Sequence, residues 1–197
     1  MEAFAIQRAL KIHLILLFGI FSLTLSAQNA DSLSSIDFTE MRNKIFRSLQ
    51  EQGIYDLRDK KLPSFKLVRV DGKEFDFEGL VGQPTIVNFW FTACAPCLEE
   101  IPMLNRIQKS YSQTVNFIAI TYQDSTEISS FLEKKPFHFT QLVDAQDYWD
   151  QLGIKTAPHT LVTDRNGIVR YIDKERPRDL NEFETELRNQ IEQVLEQ

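Results

Sequence analysis

An apolar run that ends at a Cys-x-x-Cys leaves this chain few ways to fold. Residues 85–91 (Thr-Ile-Val-Asn-Phe-Trp-Phe) are almost continuously hydrophobic, with β-branched and aromatic side chains. That is the pattern of a strand buried on both faces. Cys94-Ala95-Pro96-Cys97 follows and opens a stretch to Tyr111 with Cys97, Ile101, Leu104 and Tyr111 on one helical stripe. Cys94 therefore stands where a strand ends and a helix begins. Backbone N–H groups are unpaired there and the helix dipole favours negative charge. A thiolate in such a place is stabilised, with pKa values lowered to about 3.5–7.5. The thiolate is the attacking species in disulfide exchange. Cys97, one turn further in, is placed to resolve a mixed disulfide by attacking the Cys94 sulfur. Pro96 suits an early helical position, where its missing N–H would be unpaired anyway.

These two cysteines are the whole thiol inventory of 197 residues. A disulfide scaffold needs several bridges between distant segments, so that class is excluded. A Cys-x-x-Cys bridge also closes too small a loop to add much chain-entropy stabilisation. The composition is 43% hydrophobic and 25% charged, which excludes collagen-like, low-complexity and wholly disordered chains. A net charge of -6 argues against a nucleic-acid binder with a broad basic surface.

The N-terminus reads as a leader. Arg8 and Lys11 precede an apolar run over residues 12–25, and Ser26-Ala27 supplies small residues before Gln28. That order matches a secretory signal peptide, residues 1–27, cleaved near Ala27. The alternative is an uncleaved anchor, the one membrane contact foreseen, but the run is short against the ~20 residues of a spanning helix. Export places the cysteines where disulfides form and persist, so localisation is periplasmic or otherwise extracytoplasmic. A pair of little structural value in an oxidising compartment points to redox chemistry.

Residues 28–61 form an extension. Asp37 and Glu40 suggest a capping box, Phe38, Met41, Ile45 and Leu49 recur at helical spacing, and Gly53 reads as the stop. Residues 62–197 read as one domain. Segments 65–70 and 73–77 flank Asp71-Gly72 as a hairpin, and 79–84 form a loop. Strands are expected at 85–91, 115–122, 139–143, 159–164 and 168–172, the last two joined by Arg165-Asn166-Gly167. Helices are expected at 96–111, 125–134 with Ser125 or Thr126 as cap, 145–152 and 179–195. Strands alternating with helices and a closing hairpin give an α/β domain with a mixed sheet.

With Pro158 standing just before a strand and hairpin, the pattern resembles the thioredoxin superfamily. Within it, the chain is similar to exported thiol–disulfide oxidoreductases of the TlpA/ResA type, over about residues 62–197. The resemblance rests on 88–97 (Asn-Phe-Trp-Phe-Thr-Ala-Cys-Ala-Pro-Cys), on Glu99-Glu100-Ile101-Pro102 and on 153–167. It implies a thioredoxin fold, a central mixed sheet flanked by helices, here with an N-terminal hairpin and an extra N-terminal helix. It implies that Cys94 and Cys97 form the redox-active disulfide and that Pro158 is a cis-proline facing them. Ala157 would offer backbone hydrogen bonds to an extended substrate, with Trp90, Ala157 and Pro158 as the substrate-binding group. Glu100 would exchange the Cys97 proton as a third catalytic residue; otherwise it is a solvated helix-face acid, as Glu99 is. Pro102 would kink the first helix. The partners implied are exported protein thiols and disulfides, with a membrane thiol donor for re-reduction; apocytochrome c is among the substrates of such relatives. No cofactor, resident metal or nucleic acid is implied.

The chain departs from the family at three positions. Asn88 stands where thioredoxins carry a buried Asp, so proton transfer falls to Glu100 or water. Ala93 replaces a frequent Trp and leaves the site more open. His159, after the cis-proline position, would modulate the pair by stabilising the Cys94 thiolate, unless its side chain points away. His138 reads as a loop residue. The leading expectation is a protein-disulfide reductase; an oxidase would use the same residues. The alternative is a Cu(I) metallochaperone using Cys94, Cys97 and His159, although familiar copper chaperones of this fold space their cysteines by three residues. A peroxiredoxin is disfavoured because Phe91 stands where a Thr is needed. A purely structural pair is the remaining alternative.

Overall fold

The computed structural model describes residues 53–173 and 179–197. The leader expected at 1–27 and the helix expected from Asp37 lie outside them, and most of the 28–61 extension does too. Seven strands form one sheet in the order β2-β1-β5-β4-β3-β6-β7. They are β1 (Leu67–Arg69), β2 (Glu74–Phe75), β3 (Thr85–Phe89), β4 (Asn116–Ile120), β5 (Thr140–Val143), β6 (His159–Thr163) and β7 (Val169–Ile172). The helices are α1 (Ala95–Tyr111), α2 (Ser125–Leu132), α3 (Gln146–Gln151) and α4 (Leu180–Leu195). Strands β3, β4 and β5 run parallel, while β3–β6, β6–β7, β1–β5 and β1–β2 pair antiparallel. This is the mixed sheet of a thioredoxin fold.

Every residue of β3 is buried, because helices and loops cover both faces of the sheet. Ile86, Phe117, Ala119 and Val162 face α1 and α4, meeting Ile101, Leu104, Phe183 and Leu187. Val87, Phe89, Ile118 and Leu161 face the other way, onto Tyr148, Trp149 and Ile54. Each face thus has its own apolar core, and the period of two along the strands divides them. Across α1 and α4, Arg106 bonds Glu184 at 2.5 Å and the Tyr111 hydroxyl donates to Glu192 at 2.6 Å. The Arg106 guanidinium holds the Glu184 carboxyl below its ordinary value. Tyr148, buried by its ring, donates to the Pro63 carbonyl at 2.7 Å.

Several local expectations need correction. The hairpin at Asp71-Gly72 is present, but its strands are short, because Asp76 caps a 3-10 helix over Phe77–Leu80. Its side chain accepts from the Glu78 N–H at 2.8 Å, which takes Phe77 out of the strand. The cap of α2 is Asp124, not Ser125 or Thr126; its carboxylate accepts the Glu127 N–H at 2.8 Å. In the second hairpin the organiser is the buried Asp164, which accepts from the N–H groups of Asn166 and Ile168. Among the described residues no helix is long and apolar enough to cross a membrane.

Gly53 does not end a helix: residues 53–55 are helical. A Cβ on Gly53 would lie 2.8 Å from the Gly153 Cα, so glycine is required for the close approach of two backbones. Gly153 itself has φ +67, a conformation that costs an L side chain about 1–2 kcal/mol. Gly153→Ala is therefore expected to lower stability by about 1–3 kcal/mol. Urea unfolding checks this as a lower midpoint with an unchanged slope.

Candidate active site

The site lies at the end of β3. Past Phe89, the Trp90 N–H still donates to the Ile120 carbonyl at 3.2 Å, and then the chain turns. The Cys94 N–H closes that turn on the Phe91 carbonyl at 3.1 Å. Cys94 is the N-cap of α1, with extended φ and ψ of -83 and 97, and its Sγ accepts the Cys97 N–H at 3.3 Å. Pro96 occupies the first turn, where no N–H is needed. Cys94 and Cys97 are joined by a disulfide, with Cα atoms 5.2 Å apart, and both are buried. The helix N-terminus that receives Cys94 Sγ in the disulfide also stabilises the thiolate after reduction.

The other expected residues fall into distinct places. Glu100 is buried, three residues beyond Cys97 on α1, so the two share a helix face; it is not the solvated acid that Glu99 is. Pro102 lies within α1, whose span continues past it to Tyr111. The Ala157–Pro158 bond is cis. It immediately precedes β6, and His159 pairs with Phe89, so the cis bond sits at the same end of the sheet as the turn leading to Cys94. Ala157 is half-buried and packs at the seam of the two cores together with Phe91.

Trp90 does not belong to a substrate surface. It is wholly buried, with its ring 5.2 Å from Phe131 and 5.4 Å from Phe137, and its indole N–H donates to Gln141 Oε1 at 3.2 Å. The strand's alternation sends it inward, so it supports the site from beneath.

His159 shares a strand face with Leu161, on the side of β3 that carries Phe89. Its Nε2 lies 3.3 Å from Thr156 Oγ1 and its ring meets Tyr55 edge-on at 6.3 Å. α1 packs on the opposite face, so the side chain points away from the helix that carries the cysteines. Among the described residues no three His, Cys, Asp or Glu side chains are grouped to hold a metal ion. The Cu(I) set of Cys94, Cys97 and His159 is therefore not assembled.

Asn88 is buried on the α1 side and donates through Nδ2 to Thr160 Oγ1 at 3.0 Å. A non-titrating amide thus fills the inner site beneath the cysteines. The sequence reading missed a polar grip on the turn. The Thr92 N–H donates to Gln123 Oε1 at 2.7 Å, and its hydroxyl donates to Glu127 Oε1 at 2.8 Å. The one available signal was a polar Thr92 after three aromatic residues, since Gln123 and Glu127 come from a distant loop and helix.

Comparison with known proteins agrees with this geometry. The Redoxin family model matches residues 57–187. The thioredoxin-like protein YneN of Bacillus subtilis is 24% identical over 129 residues, covering 64% of this chain and 75% of YneN. The thiol–disulfide oxidoreductase ResA of Geobacillus thermodenitrificans is 30% identical over 113 residues, covering 56% of this chain and 65% of ResA. The chain thus spans just under two thirds of ResA's length. Among solved structures, a thiol:disulfide interchange protein of the thioredoxin family from Chlorobium tepidum superposes with a TM-score of 0.59 at 26% identity. It covers 70% of this chain and 97% of that one.

Asn88→Asp would place a carboxyl in this buried position. Desolvation raises its folded-state pKa above the unfolded value of about 3.9. The folded state then holds the extra proton, so stability falls as pH rises from the unfolded pKa toward the folded one. The variant is expected to lose more stability relative to wild type at pH 8 than at pH 5, measured by denaturant midpoints at both values.

Proposed function

The chain belongs to the Redoxin family and carries a thiol–disulfide oxidoreductase site on a thioredoxin fold; from that premise we propose that it reduces disulfides in exported proteins. One observation carries the reading. The only cysteine pair sits as the N-cap and first turn of α1, with a buried carboxyl, Glu100, on the same helix face.

The reduced protein starts with two thiols. The Cys94 thiolate attacks one sulfur of the substrate disulfide, forming a mixed disulfide and expelling a substrate thiolate that takes up a proton. Glu100 accepts the Cys97 proton. The Cys97 thiolate attacks Cys94 Sγ, closing the Cys94–Cys97 disulfide and expelling the second substrate thiolate, which takes the proton from Glu100. Two electrons and two protons pass from the pair to the substrate. An external dithiol returns them, and a membrane thiol donor fits that role for an exported chain. Ala157, beside the cis-Pro158 bond, offers its backbone to an extended substrate segment in the manner of an added strand. The leader at 1–27 supports action outside the cytoplasm. Apocytochrome c fits as one substrate of such a reductase.

Proton transfer by a positioned carboxyl contributes about 10²–10⁴-fold. In single-turnover reduction of a model protein disulfide, Glu100→Gln is expected to slow release of the second thiol about 10²-fold. The mixed disulfide at Cys94 should accumulate, approaching the permanent trap formed by Cys97→Ala. Release at the wild-type rate would remove Glu100 from the mechanism. Absence of any mixed disulfide in Cys97→Ala would overturn the exchange reaction itself.

A further inference from the structure

We propose that Glu127, fixed against the active-site turn by Thr92 and Gln123, biases the Cys94–Cys97 pair toward its disulfide form and so strengthens it as an electron donor. The inference rests on the reductase reading above and concerns how the site is tuned toward it.

Thr92 lies two residues before Cys94, inside the turn that the Cys94 N–H closes on the Phe91 carbonyl. Three hydrogen bonds tie it to the loop after β4 and the first turn of α2. Its N–H donates to Gln123 Oε1, its hydroxyl donates to Glu127 Oε1, and Gln123 Nε2 donates to Thr92 Oγ1 at 2.8 Å. Gln123 Nε2 also donates to Glu127 Oε1. Gln123 is itself held, its carbonyl accepting the Asp144 N–H at 2.9 Å and its N–H donating to Thr121 Oγ1 at 3.3 Å. Asp124 accepts the Glu127 N–H and fixes the start of α2. The Glu127 carboxylate, on an exposed residue, is thus tied to the turn through Thr92 and Gln123.

The charge has an energetic consequence. Among the described residues no Lys or Arg forms an ion pair with Glu127. In the disulfide form Cys94 is neutral and indifferent to that charge. In the dithiol form Cys94 gains a negative charge that the α1 N-terminus favours and a nearby carboxylate opposes. Opposing the thiolate destabilises the reduced form alone, which lowers the reduction potential. Glu99 on α1 and Asp124 on α2 are exposed acids on the neighbouring elements and act in the same direction. Neither bonds Thr92, so Glu127 is the one coupled to the turn.

The test is redox equilibration of the full chain against a reference dithiol, for wild type, Glu127→Gln, Thr92→Val and Glu133→Gln. Glu133, the C-cap of α2, controls for removal of an acid at the far end of the same helix. Glu127→Gln keeps an amide oxygen to accept the Thr92 hydroxyl. It is expected to shift the equilibrium about tenfold toward the dithiol, about 30 mV upward for this two-electron couple. Thr92→Val, which releases the carboxylate, should move it the same way by less, and Glu133→Gln by less than about twofold. The Glu127→Gln shift should shrink near 1 M salt, where the Debye length is about 3 Å; a merely structural role carries no such salt signature. A Glu127→Gln equilibrium within about twofold of wild type at low salt overturns the proposal. So does an equal shift in Glu133→Gln, or a shift that salt leaves untouched. If wild type proves a strong oxidant yet Glu127→Gln still raises its potential, the reductase reading fails and the role of Glu127 stands.

Discussion

Burial of β3 on both faces is the constraint on which the rest of the molecule depends. Its five residues pair with β4 on one side and β6 on the other, and both of its faces meet apolar cores. A strand so enclosed has no freedom to slip, because a one-residue shift would exchange Ile86 and Phe89 between two differently shaped cores. The point at which it stops is therefore fixed, and with it the turn from Phe91 to Cys94. The same enclosure sets β6, whose antiparallel register with β3 brings the cis Ala157–Pro158 bond to the cysteine end of the sheet. The cysteines and the cis-proline, about sixty residues apart in sequence, are brought to one end by one strand's two neighbours.

The chemistry follows from what that end of the sheet offers. Cys94 takes the capping position of α1, where an oxygen-bearing side chain usually sits, and its sulfur accepts a backbone N–H. The helix N-terminus favours the thiolate, and in the proposed tuning neighbouring acids oppose it. Asn88 removes a titrating group from the interior, tied as a neutral donor to Thr160. In the proposed mechanism proton transfer falls to Glu100, buried on the cysteines' own helix. The interior thus carries an amide at Asn88 on the strand and a buried carboxyl at Glu100 on the helix.

What the sequence made legible was what has a period or a local grammar. β3, the amphipathic stripes of α1 and α4 and the two hairpin turns were readable because burial imposes a repeat and turns demand particular residues. The cysteine pair and Pro158 were readable because their spacing to those elements is fixed. Trp90 was grouped with the substrate-binding residues through the family resemblance, while the pleat packs its ring against Phe131 and Phe137. Gly53 was read as a stop because a local rule cannot see that Gly153, a hundred residues away, needs the space. The grip of Gln123 and Glu127 on Thr92 was invisible for the same reason. It joins a turn after β3 to a loop after β4, and only the fold brings them together. His159 was ambiguous by sequence and settled by register, since its pairing with Phe89 places it on the face opposite α1.

The direction of electron flow is the most direct test of this reading, and the reduction potential of the Cys94–Cys97 pair measures it. A reductase of exported proteins predicts a potential near that of thioredoxin, about -270 mV. A value near that of DsbA, about -120 mV, would contradict it and make the same residues an oxidising site.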